Sequence, residues 1–176
     1  EDGEFLIAKF YRPGRWGRDA LLDEHAFLLE LAEAELPVVA PLQDGEGATL
    51  HEEDGIEFTL FPRKSGRPCD EPTRSEWLQI GRLLGRIHQV GSHRPAAHRL
   101  KLDPRHSSTL HLEFLRDSGV LPPEVKDAYL DTAHRLLDRI APLFDALESQ
   151  RLHGDLHRMN LLWRPGEGFH AIDFAD

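Results

Sequence analysis

Apolar and polar positions along the chain fall into strand-like runs at the front, helical runs in the middle and a strand-like pair at the end. Phe5-Leu6-Ile7-Ala8-Lys9-Phe10-Tyr11 is almost wholly apolar and aromatic, and Pro13-Gly14 closes it, so residues 4–11 are expected to form a strand followed by a turn. Lys9 then sits inside an apolar strand. From residue 19 to 35 the rhythm changes. Leu21, Leu22, His25, Leu28, Leu29, Ala32 and Leu36 recur at three- and four-residue intervals, as on one face of an amphipathic helix, and Pro37 stops it. Short apolar runs over 38–42, 48–50 and 56–61, broken by Gly45, Gly47 and Gly55, predict small antiparallel strands with hairpin turns. Residues 62–68, rich in Pro, Arg and Gly, read as the start of a linker.

Helical signals resume at Thr73, which with Glu76 forms a capping-box pattern ahead of Trp77, Ile80, Leu84, Ile87 and His88 on one face. Gly81 and Gly85, four apart on that helix, either admit a second element at close range or are merely tolerated. Residues 90–108 read as loop and 110–116 as a short helix. Pro122-Pro123 opens a long helix carrying Tyr129, Leu130, Ala133, Leu136, Leu137, Ile140 and Phe144, with Pro142 expected to kink it. Apolar runs over 161–163 and 169–174, separated by Pro165-Gly166-Glu167-Gly168, predict a terminal hairpin.

Composition narrows the class. The 176 residues are 40% hydrophobic and 30% charged, which suits a globular chain with a core and excludes disordered and collagen-like sequences. Twenty-one Lys and Arg against 31 Asp and Glu give a net charge of −10, so the overall field repels phosphate backbones and no nucleic-acid partner is expected. Arg12, Arg15 and Arg18 form a local basic cluster that could still meet a phosphate or simply be solvated. One cysteine, Cys69, cannot form an intramolecular disulfide, and no charged leader precedes an apolar stretch. A cytoplasmic protein without a membrane span is the expectation.

Chemistry concentrates near the end. His153-Gly154-Asp155-Leu156-His157-Arg158-Met159-Asn160 is a polar, glycine-bearing loop between a helix and a hairpin, and Asp173 follows thirteen residues after Asn160 inside an apolar strand end. The hairpin folds Asp173 back beside Asp155 and Asn160, so three oxygen-bearing side chains can converge. Hard oxygen donors of this kind suit Mg²⁺, which takes one or two carboxylates and completes its shell with water and substrate phosphates. A carboxylate left off the metal can deprotonate an attacking hydroxyl. His153, His157 and Asp155 also raise a zinc reading, but no cysteine or third histidine lies nearby to close a tetrahedron.

His153-Gly154-Asp155, His157 and Asn160, followed by Ile172-Asp173-Phe174, resemble the catalytic loop and metal-binding strand of the aminoglycoside-phosphotransferase-like kinases, relatives of the protein kinases. The resemblance implies that Asp155 is the catalytic base, that Asn160 and Asp173 are Mg²⁺ ligands, and that His153 is structural. It extends forward. Lys9 resembles the strand lysine that grips the α- and β-phosphates of ATP, and Glu24, fifteen residues later, resembles its ion-pair partner. Phe61, at the end of the last front strand, is the residue expected against the adenine. Segments such as Lys9-Phe10-Tyr11-Arg12-Pro13-Gly14-Arg15-Trp16 and Gly81-Arg82-Leu83-Leu84-Gly85-Arg86-Ile87-His88-Gln89 are most similar to the bacterial stress-response group of serine/threonine protein kinases within the family.

The implied fold is α+β and protein-kinase-like, with a small antiparallel-sheet lobe over residues 1–62, a linker over 63–72 and a mainly helical lobe over 73–176. In this family a glycine-rich hairpin precedes the lysine strand and further helices follow the metal-binding strand. Only eight residues precede Lys9 and three follow Asp173, so the chain reads as incomplete at both ends. The implied activity is ATP- and Mg²⁺-dependent phosphoryl transfer to a protein Ser or Thr. The alternatives are a small-molecule kinase of the aminoglycoside, choline or homoserine type and a non-catalytic pseudokinase scaffold. Asp176 reads as a supporting or solvated acid.

Overall fold

The computed structural model describes residues 5–174. The expected strand start at residue 4 and the acid Asp176 lie outside them. The chain divides into two compact units, one made of residues up to Arg99 together with those from Gln150 onward, the other of Leu100–Ser149.

In the first unit β1, Leu6–Phe10, pairs antiparallel with β3, Ile56–Pro62, whose other edge carries β2, His51–Glu53. The register places Lys9 opposite Thr59. Asp54 and Gly55 join β2 to β3 with φ of 51° and 77°, the doubly left-handed turn that matches strand twist. Two expected strands differ. Over residues 38–42 only Val38 forms a bridge, parallel to Ala171, and residues 48–50 are not a strand. The Asp44 side chain explains the second difference: it accepts from Glu46 N at 2.9 Å and Ala48 N at 2.8 Å, folding that backbone into a local turn instead of a ladder.

Helix α1, Arg18–Glu33, ends two residues earlier than expected, because Glu35 turns left-handed at φ 56° and Leu36 N returns to Leu31 O at 3.0 Å. The expected linker carries a short strand, β4, Arg67–Pro68. It is followed by α2, Arg74–Gly91, whose capping box is formed as the sequence implied: Thr73 Oγ1 accepts from Glu76 N and Glu76 Oε2 accepts from Thr73 N. Its inward face is rotated from the expected one. Ile80, Leu83, Ile87 and Gly91 are buried, while Trp77 is 53% exposed.

The second unit begins with a π-helical turn, Pro104–Ser108, in the stretch expected to be loop, with Asp103 Oδ1 accepting from Arg105 N and His106 N. It continues through α3, Thr109–Asp117, and α4, Pro123–Ile140. Pro142 does not kink α4: the helix stops at Ile140, and Pro142 lies in the following 3₁₀ turn, Ala141–Leu143.

Back in the first unit, β5, Leu161–Arg164, and β6, Gly168–Ala171, form the expected terminal hairpin, with β4 on the far edge of β5. One apolar core joins α1, α2 and this hairpin through Phe27, Leu31, Ile87, Phe169 and Phe174. Burying each large side chain there contributes roughly 1.5–3 kcal/mol. Tyr11, Leu21 and Leu50, with Trp16 against them, form a smaller cluster beneath β1.

Candidate active site

The loop after Gln150 is built around His153. Burial lowers its pKa, only partly offset by the Ile172 carbonyl beside it, so the ring is neutral with one N–H. Nε2 lies 3.0 Å from the Ile172 carbonyl and donates to it; Nδ1 is then the acceptor for Asp155 N at 3.4 Å. One neutral imidazole thus ties the loop to the end of the hairpin. Gly154, at φ 89°, allows the sharp turn between them. Asn160 closes the loop: its Nδ2 donates to Asp155 O at 3.0 Å and its N to His157 O at 3.0 Å. The Asp155 carboxylate remains half-exposed, 3.5 Å from His157 Nε2.

Asn160 also reaches the hairpin, since its carbonyl accepts from Ile172 N at 3.0 Å. Asp173 follows with φ 58°, a left-handed conformation that Asp tolerates better than most residues. The bond from His153 to the Ile172 carbonyl holds it on one side. On the other, Phe174 is 1% exposed, its ring centroid 4.1 Å from that of His153 with the planes tilted by 31°, and edge-on to Phe27 of α1 at 5.8 Å. From this turn Asp173 Oδ1 meets Lys9 Nζ at 2.7 Å, across 164 residues of sequence.

The expected ion pair between Lys9 and Glu24 is not the one that forms among the described residues. Lys9 goes to Asp173, and Glu24 Oε2 accepts from Arg99 Nη1 at 3.1 Å, with the Arg99 guanidinium 4.2 Å over the Trp16 ring. The physical reason is competition. Arg99 offers a planar donor fork next to Glu24, while the Asp173 turn lies within reach of the Lys9 amine.

Lys9, Glu24, Phe61 and Asp173 line one cavity of about 730 Å³, within the usual range for a small-molecule site. Leu28, Val39, Leu162 and Ile172 add apolar wall. Among its described lining residues five are cationic, Lys9, Arg12, Arg15, Arg63 and Lys64, against the carboxylates of Glu24 and Asp173. In a chain of net charge −10 that local reversal favours an anion. Arg18, the third member of the basic cluster, instead pairs with Glu57 at 2.9 Å. Asp155 and Asn160 do not line the cavity but sit on the adjoining loop that Ile172 joins to it.

Among the described residues there is no group of three or more His, Cys, Asp or Glu placed to hold a metal. An amide oxygen and a carboxylate are the donor types that a hard divalent ion takes. The Asn160 amide nitrogen is committed to Asp155 O, leaving Oδ1 as the end that can coordinate, and Lys9 engages one oxygen of Asp173. Two protein donors plus water and phosphate oxygens meet the ordinary demand of Mg²⁺.

Two supporting residues were not expected. Arg151, 8% exposed, donates to Glu30 Oε2 at 2.6 Å and lies over the Phe27 ring at 4.5 Å, anchoring the start of the loop to α1. Nothing in its sequence neighbourhood marks it. His25, 1% exposed, bonds Tyr11 and Thr49; the available signal was a polar residue on the apolar face of a helix.

The phosphotransferase enzyme family, APH, matches residues 1–176. The chain belongs to this family. The APH domain is 35% identical over 176 residues to stress response kinase A of Salmonella choleraesuis strain SC-B67, covering 99% of the chain and 53% of that protein. It is 35% identical, with the same coverage, to the serine/threonine protein kinase RdoA of Salmonella typhimurium strain LT2. The chain spans about half the length of these relatives. Among solved structures, amicoumacin kinase hAmiN in complex with AMP-PNP, Ca²⁺ and Ami superposes with a TM-score of 0.72 at 21% identity, covering 100% of the chain and 54% of that protein. The likeness shows the kinase-like α+β fold. Among the described residues no helix is long and apolar enough to cross a membrane.

Proposed function

We propose that the protein is a cytoplasmic, ATP-dependent phosphotransferase that moves the γ-phosphoryl group to a hydroxyl, and that its acceptor is a protein Ser or Thr. The observation that carries this reading is the meeting of Lys9 and Asp173 at 2.7 Å in a cation-rich cavity, beside a loop that holds Asp155 and Asn160. Lys9 grips the nucleotide phosphates and Phe61 packs against the adenine. Asn160 and Asp173 would hold Mg²⁺, which supplies charge neutralisation at the phosphates when bound. Asp155, half-exposed on a loop fixed by His153 and Asn160, orients the acceptor hydroxyl and takes its proton. The names of the bacterial relatives, stress response kinase A and serine/threonine protein kinase RdoA, support a protein acceptor. A second reading, a small hydroxyl-bearing acceptor, draws on the name of the amicoumacin kinase.

The test is incubation of the full-length protein with γ-labelled ATP and either protein or amino-alcohol acceptors. Label should enter Ser and Thr of protein, and Asp155→Ala should lower kcat by roughly 10²–10⁴-fold, the usual worth of a positioned base. Transfer by Asp155→Ala at the wild-type rate would remove Asp155 from the chemistry. Label found only in the amino alcohol would replace the protein acceptor.

A further inference from the structure

A lysine side chain is long and flexible, so the position of its amine is set by what surrounds it. Besides Asp173, the Lys9 amine faces the Tyr11 ring, 5.6 Å from its centroid. Tyr11 lies two residues on, on the same side of an extended chain, and its N donates to Glu57 O at 2.8 Å, continuing the β1–β3 pairing. The Tyr11 hydroxyl lies 2.9 Å from His25 Nε2 on α1. On the other side of the ring, His25 Nδ1 lies 2.8 Å from Thr49 Oγ1. The Thr49 carbonyl accepts from the hydroxyl of Thr59, which is fully buried and stands opposite Lys9 in the strand register. The chain of bonds therefore starts beneath the Lys9 amine and ends beside the Lys9 backbone, on the neighbouring strand.

Stability alone does not account for this chain, because apolar groups of the same shape can replace a buried hydrogen-bonded pair at little cost. Direction is what hydrogen bonds add. The bond to His25 fixes the tilt of the Tyr11 ring, and with it the surface on which the amine rests. Burial lowers the pKa of His25 to about 4, so near neutral pH the ring offers one donor and one acceptor, one for each neighbour.

We propose that Tyr11, His25, Thr49 and Thr59 act as one positioning unit for Lys9, with His25 as its central residue, an assignment that rests on the phosphate-gripping role given to Lys9 above. The experiment compares full-length wild type with Tyr11→Phe, His25→Gln and Thr49→Val, following the Lys9 Cε and Nζ resonances without nucleotide and the steady-state kinetics with ATP. The Lys9 resonances should move in all three variants. KM for ATP should rise roughly three- to tenfold, the range that loss of one neutral hydrogen bond corresponds to, with kcat and the acceptor KM little changed. Thr49→Val is the decisive variant, because Thr49 is not among the cavity-lining residues and, among the described residues, its hydroxyl bonds His25. Lys9 resonances that coincide with wild type in Thr49→Val and His25→Gln would overturn the proposal, including when KM rises only as fast as the melting temperature falls. If the wild type neither binds ATP nor transfers phosphate, the kinase reading fails, and the Lys9 resonances still decide the positioning role.

Discussion

Gly91→Ala should destabilise the fold, while the same substitution at Gly81 and Gly85, in the same helix, should stabilise it. A Cβ on Gly91 would stand 2.2 Å from the Arg151 carbonyl oxygen, 3.2 Å from its carbonyl carbon and 3.5 Å from Phe27 Cζ. The first two atoms are backbone and cannot rotate away, so α2 and the start of the loop must separate by about 1 Å to restore ordinary contact. That movement strains the bond from Arg151 N to Gly91 O and the bonds of the Arg151 guanidinium to Val90 O and Gly91 O. Overpacking costs about 1–3 kcal/mol and a lost hydrogen bond about 1 kcal/mol, against a helix-propensity gain of at most about 1 kcal/mol. The net expectation is about 1–3 kcal/mol of destabilisation, a fall in Tm of roughly 2–12 °C for a chain of this size. A Cβ on Gly81 or Gly85 meets nothing within 4 Å, so only propensity acts, and each variant should gain about 0.5–1 kcal/mol. Thermal melting followed by circular dichroism measures all three. A Gly91→Ala protein as stable as wild type would refute the close approach of α2 to Arg151.

His25 has its folded pKa lowered to about 4 against an unfolded value near 6.5, so the unfolded chain binds the proton more tightly; stability is complete above pH 6.5 and falls as pH drops toward 4, by about 3 kcal/mol from this residue. His153 is shifted the same way by burial. Urea titrations between pH 7 and 4.5 check the slope, which His25→Gln should reduce by up to about 1.4 kcal/mol per pH unit; an equal slope in the two proteins would place His25 in water. Thr73→Ala removes the one hydroxyl that both accepts from Glu76 N and donates to Glu76 Oε2, and should cost about 1 kcal/mol in urea denaturation. A loss below a few tenths would mean the capping box is not formed in solution.

The sequence foretold those elements whose causes are local. The α2 start is written in Thr73 and Glu76, three residues apart, and the terminal hairpin in two apolar runs around Pro165-Gly166. Where a distant or competing group decides, spacing said little. Asp44 diverts residues 48–50 from strand pairing, and Arg151, sixty residues away, makes Gly91 the glycine that packs closely instead of Gly81 or Gly85. The site shows the same division. Family resemblance singled out Lys9, Glu24, Phe61 and Asp173, which line one cavity, yet Arg99 takes Glu24, and no spacing rule carries that choice. His25 was legible only as a polar residue on an apolar face, since its partners Tyr11 and Thr49 come from separate segments.

We propose that Lys9, Asn160 and Asp173 surround one metal-bound nucleotide. Replacing Mg²⁺ by paramagnetic Mn²⁺ with AMP-PNP tests it in a single titration of the full-length protein followed by amide NMR. Signals of Asn160 and Asp173 should broaden first and that of Lys9 soon after, and the effect on Asn160 and Lys9 should vanish in Asp173→Ala. Sharp Asn160 and Asp173 signals at saturating Mn²⁺ and AMP-PNP, with broadening elsewhere in the chain, would contradict the account.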